Sequence, residues 1–205
     1  MSAGSTDAEE PPEREFDETT ALQRMQEAAA ESITDLPDFP GFEVRGVFAR
    51  DCVHEGKTDE SYINYEMDYR FSEEISKDPL VRETYLDLLR QQWDTAGYDI
   101  HRDEQRGDNP PHHFLEARRP DGINLSYRVT GLTVLRIQSG CVKVVEGVEP
   151  ECPDPLPNVT SENDRGEGCN HTTTEYETEP ANAVAPFEGT QAAGRPFSAD
   201  GLRRE

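Results

Sequence analysis

Lysine is nearly missing from this chain of 205 residues: only 3 of its 20 basic residues are Lys, and the rest are Arg. That bias points to a GC-rich source and carries no functional meaning. Long apolar runs are missing too. Hydrophobic residues make up 33% of the chain, and no run is long enough to span a membrane. There is no CxxC pair, which removes the usual zinc and thioredoxin-like readings. No glycine-rich phosphate loop occurs, and Ser126 stands in no nucleophile elbow and beside no His, so neither nucleotide binding nor a hydrolase triad has a motif to rest on. Basic residues are outnumbered by 43 acidic ones, for a formal net charge of −23. A chain this acidic has little long-range attraction for nucleic acid or an anionic membrane.

The charge is unevenly spread. Residues 1–36 and 142–205 each carry a net −8 and the middle only −7, so most of the excess lies outside the patterned region. Residues 1–17 read as a disordered acidic arm, 18–145 as one folded domain, and 146–205, rich in Pro, Gly, Thr, Asn and Glu, as a largely disordered acidic tail.

Within 18–145 the clearest element is the helix of Asp78 to Tyr98. Asp78 can cap it and Pro79 suits its first position. Val81, Tyr85, Leu88, Leu89, Trp93 and Ala96 make one apolar face, and Gly97 is a left-handed stop. An earlier helix begins near Thr19, with Leu22, Met25, Ala29, Ile33 and Leu36 at helical spacing, and ends at Pro37. Strands are expected at 42–53, 62–71, 98–102, 113–119, 123–130 and 132–142, with polar loops at 54–61 and 102–111. The second strand alternates cleanly: Ile63, Tyr65, Met67, Tyr69 and Phe71 on one face, Asn64, Glu66, Asp68 and Arg70 on the other. The expected fold is α+β, a mostly antiparallel sheet of five to six strands with two helices on one face.

Four cysteines are present, Cys52, Cys141, Cys152 and Cys169. Cys52 lies near the end of the first strand and Cys141 near the end of the last, so a bridge would form if those strands are neighbours. It would tie the ends of the sheet together and contribute ~4–5 kcal/mol by loop entropy. Cys152 and Cys169 would close a second bridge in the tail. An even count fits an oxidising compartment, while free structural thiols are the alternative for a cytosolic protein. The compartment expected is extracytoplasmic if an export segment has been removed, and cytoplasmic otherwise.

Neither a catalytic residue, a metal site nor a cofactor is expected. His112 and His113 point to opposite faces of a strand and cannot chelate one ion; His54, His101, Asp51, Asp99 and Asp103 are scattered at strand ends. The candidate binding surface is the polar sheet face, with Asn64, Glu66, Asp68 and Arg70 on one strand and Asn124, Ser126 and Arg128 on another. Glu66 or Asp68 would bridge Arg128 if those strands pair.

In layout, with Cys52 on the first strand, a helix carrying Trp93, the Gly97–Tyr98 junction and a closing Ser139-Gly140-Cys141, residues 18–145 resemble uncharacterised exported proteins and lipoproteins of actinobacteria. The resemblance carries no catalytic motif. It implies a non-catalytic extracytoplasmic domain that binds a protein or envelope partner; the alternative is a cytosolic acidic regulator or inhibitor that engages a basic partner.

Overall fold

A computed structural model describes residues 14–54 and 56–165. The elements in chain order are α1 (Glu18–Ile33), β1 (Val44–His54), β2 (Lys57–Arg70), a 3-10 turn (Ile75–Lys77), a π-helical turn (Leu80–Thr84), α2 (Tyr85–Thr95), β3 (Asp99–Arg106), β4 (His112–Arg118), β5 (Asn124–Val129), β6 (Thr133–Lys143) and β7 (Asp164–Arg165). The fold is α+β. The sheet is larger than expected and mixed: seven strands in the order β3-β4-β5-β6-β2-β1-β7, antiparallel throughout except for β7, which runs parallel to β1.

Local chemistry sets the helix ends. Asp17 caps α1 through Oδ1, which accepts from the Thr19 N–H at 3.0 Å. The Glu18 carboxylate is buried and accepts from the Val145 N–H at 2.6 Å, fastening the start of α1 to the chain leaving β6. At the other helix, Asp78 Oδ1 accepts from the Leu80 N–H at 2.8 Å. Gly97 closes α2 with φ +74°, and the Tyr98 N–H donates back to the Trp93 carbonyl at 2.9 Å, a Schellman-type stop.

Both helices cover the same sheet face. Tyr69 of β2 donates from its hydroxyl to Gln26 of α1, and Tyr127 of β5 donates to the Val81 carbonyl. Ala21, Leu22, Met25, Ala28 and Ala29 of α1 and Val81, Tyr85, Leu86, Leu89 and Trp93 bury against Tyr65, Met67, Tyr69, Leu115, Leu125, Tyr127, Leu135 and Ile137.

Several boundaries differ from expectation. β1 and β2 run on to His54 and from Lys57 and reverse at Gly56 (φ +77°), so the loop expected at 54–61 is mostly strand. β3 extends to Arg106, shortening the loop expected at 102–111. In the α2 region the Tyr85 N–H reaches back five residues to Leu80. That wider turn rotates the helix C-terminal to it, so Leu86 is buried while Ala96 is exposed.

The sequence pattern ends the domain at 145, yet residues 146–165 lie against it. Leu156 is buried in the core and its N–H donates to the Tyr69 hydroxyl at 3.1 Å. Arg45, 2% exposed, donates from Nε and Nη2 to the two carboxylate oxygens of Asp164, at 2.8 and 2.7 Å, and from Nη1 to the Pro153 carbonyl. Burial works to lower the Arg45 pKa, but Asp164 and Tyr69 together outweigh it and the net shift is upward. Before α1, Phe16 is buried and Arg14 donates to the carbonyls of Gly122 and Cys141. The rest of the arm and tail expected at 1–17 and 146–205 lies outside the described residues.

Candidate functional site

The second face of the sheet carries no helix among the described residues, and its side chains can be followed in rows by strand register. One row runs Arg102 (β3), Glu116 (β4), Ser126 (β5), Arg136 (β6), Asp68 (β2) and Gly46 (β1). A second row runs Glu104, Phe114, Arg128, Val134, Arg70 and Val44. A third holds Arg118, Asn124, Gln138, Glu66 and Phe48. Period-two alternation places every one of these side chains on the same face.

The residues expected to form a polar face, Asn64, Glu66, Asp68, Arg70, Asn124, Ser126 and Arg128, all lie there. The bridge expected from Glu66 or Asp68 to Arg128 does not form. β6 inserts between β2 and β5, and its Arg136 takes both acids, donating to Asp68 from Nε and Nη2 at 2.7 Å each and approaching Glu66 to 3.1 Å. The hydrogen bonds to Asp68 raise the Arg136 pKa. Glu66 is only 6% exposed, so the face expected to be wet has a buried acid at its centre. It also accepts from Gln138 Nε2 at 3.0 Å, and Arg50 lies 3.8 Å away. Arg128 turns toward β4, where Glu116 serves two guanidiniums: Arg102 donates at 3.0 Å and Arg128 at 3.4 Å.

Ser126 Oγ accepts from Arg128 Nε at 2.9 Å and lies 3.5 Å from Glu116, and His101 approaches Glu116 to 4.0 Å. Here the carboxylate stands between Ser and His, so the Ser–His–acid order of a nucleophilic triad is not formed. Glu104 accepts from Arg106 and Arg102, and the bond to Arg106 leads in lowering its pKa. Phe114 lies beneath two guanidiniums, Arg102 at 4.5 Å and Arg106 at 5.6 Å from the ring centroid. Arg118 donates to Asn124 Oδ1 at 3.2 Å. Asn64 Oδ1 is buried without a hydrogen-bond partner among the described residues.

Cys52 and Cys141 are bridged, with Cα atoms 5.9 Å apart. The strands that carry them are not neighbours, because β2 lies between β1 and β6. The bridge forms where β1 slips register against β2, between Asp51 and Cys52, and where Cys141 pairs with Asn64. Cys152 is also disulfide-bonded, and Cys169 lies outside the described residues.

Among the described residues no group of three His, Cys, Asp or Glu is placed to hold a metal ion. His112 pairs with Arg106 and His113 with Gln105, on opposite faces of the sheet. A surface depression of ≈ 380 Å³ at the β1–β2 hairpin tip, lined by His54, Lys57, Thr58, Asp59 and Glu60, is open and brings only His54 and Asp59 together, 3.9 Å apart. No described helix is long and apolar enough to cross a membrane.

Sequence reasoning missed Arg102, Phe114, Glu116, Arg136 and Gln138. Their alternation in DIHRDEQR, HHFLEAR and TVLRIQSGCVK was a usable signal for the face. Which of them meet depends on strand order, which alternation does not encode.

No family model and no curated protein matches this chain. A solved structure with a related outline is a DUF4853 family protein from Actinomyces odontolyticus, at 11% identity and a TM-score of 0.46, covering 72% of this chain and 82% of that one.

Proposed function

We propose that the chain is a non-catalytic binding domain that works outside the cytoplasm and presents its helix-free sheet face to a protein partner. The observation that carries this reading is the separation of the two faces. Helices and the core lie on one side of the sheet. On the other, guanidiniums and carboxylates from five strands, β2 to β6, are fixed in rows by shared hydrogen bonds. Rigid strands bearing pre-ordered side chains lower the ordering cost of association. The Cys52–Cys141 bridge supports an oxidising compartment.

A photo-crosslinking residue at Arg118 on the sheet face, and another at Glu27 on the exposed side of α1, test the face in the source cells. A discrete adduct is expected from position 118 and none from 27. No adduct from 118, or equal adducts from both, would count against the reading.

A second reading, a cytosolic acidic protein engaging a basic partner, is favoured by the net charge of −23. Thiol titration of protein taken from native cells under denaturing, non-reducing conditions separates the two. No free thiol is expected, and four would place the chain in a reducing compartment.

A further inference from the structure

The helix-free face is far less acidic than the chain that bears it. On its β3–β5 quarter, Arg102, Arg106, Arg118 and Arg128 outnumber the carboxylates of Asp99, Glu104 and Glu116, in a chain of net charge −23. Two of these carboxylates are each divided between two guanidiniums: Glu116 between Arg102 and Arg128, Glu104 between Arg102 and Arg106. A guanidinium has five N–H donors, so shared carboxylates leave donors unspent. Arg118 forms no ion pair among the described residues and bonds only Asn124. Arg106 is 63% exposed. Phe114 supplies an aromatic floor between them. Among the described residues β3 is the edge strand, paired only with β4, so a ligand can reach this quarter from the side as well as from above.

We infer that this quarter is a docking surface for a carboxylate-rich peptide segment of a partner protein, whose acidic side chains take up the unspent arginine donors around Phe114. The inference rests on the binding reading above and adds the chemistry of the partner. Guanidinium forks match carboxylates in shape as well as in charge. Duplex nucleic acid is disfavoured by reach. Charges are screened beyond about 8 Å at physiological salt, so a short peptide lying on the quarter meets mainly its arginines, whereas a duplex extends over the acidic remainder.

The test titrates the full chain with an oligo-glutamate peptide, followed by fluorescence anisotropy over a salt series. Saturable binding that weakens with salt is expected. It should fall by about tenfold or more in R106E/R118E. Both positions are exposed, and an unchanged far-ultraviolet circular dichroism spectrum and melting temperature confirm that the variant is folded. No saturable binding, or binding undiminished in folded R106E/R118E, overturns the inference, as does a short DNA duplex that displaces the peptide at lower concentration. A crosslinked adduct at position 118 alongside failed oligo-glutamate binding would refute only the partner's charge. Failure of both would remove the binding reading as well.

Discussion

Tyr65 carries a hydroxyl that the fold buries without a partner among the described residues. Burial leads in raising its pKa, to about 12 from an ordinary 10.0, and burial also leads in the upward shifts of Tyr69, Tyr85, Tyr98 and Tyr127. Unfolded tyrosines ionise near the ordinary value. Between pH 10 and about 12 the unfolded chain therefore binds fewer protons than the folded one, and stability falls as pH rises through that window. Below it these hydroxyls leave stability unchanged. Urea midpoints measured alongside tyrosinate absorbance should show both regimes. Tyr65→Phe removes an unsatisfied polar atom, so it should leave stability at neutral pH unchanged or higher and make the alkaline fall shallower. A loss greater than about 1 kcal/mol at neutral pH would contradict this.

The elements keep their local signatures, and Gly97 shows how far those reach. Its φ of +74° is costly for a residue with a Cβ, yet nothing stands within 4 Å of where that Cβ would be. Gly97→Ala should cost about 1 kcal/mol through the backbone alone. Gly131 also has open space around it but no left-handed φ. Gly131→Ala is the control and should be close to neutral; equal shifts in melting temperature for the two would refute the backbone account. Both ends of the helical run over 79–95, the π-helical turn together with α2, could be read from Asp78, Pro79 and Gly97, because capping uses only neighbours in sequence. The π-helical turn could not be read. It exchanges Ala96 for Leu86 in the buried face, a choice made by packing against the sheet and not by helical spacing.

For the whole molecule, the Cys52–Cys141 bridge closes a loop across 89 residues of sequence and joins strands that β2 separates. In the chain-entropy model it should contribute ~4–5 kcal/mol, so the C52A/C141A variant should unfold at a markedly lower denaturant concentration than the native chain, with a slope at least as steep because its unfolded chain is freer to expand. An unchanged midpoint would mean that the unfolded chain is already compact without the bridge. The returning segment from 146 to 165 is the other long-range fastening. Its few apolar residues gave no periodic signal, yet Leu156 enters the core and Asp164 neutralises a guanidinium buried under it.

What the sequence alone determined was everything governed by short separations. It placed two helices and the stop of the second, six of the seven strands among the described residues, the face to which each alternating residue belongs, and the polar character of the helix-free surface; α1 ends at Ile33, short of the stop expected at Pro37. The partners on that surface were decided only by the tertiary structure. Arg136 lies between β5 and β2 because β6 pairs with both, and Glu116 rather than Glu66 receives Arg128 for the same reason. The physical cause is common to these cases. Side-chain direction repeats with the backbone period and can be read within a few residues, whereas strand neighbours and the return of an apolar-poor segment are selected by burial and hydrogen bonding summed over the assembled sheet.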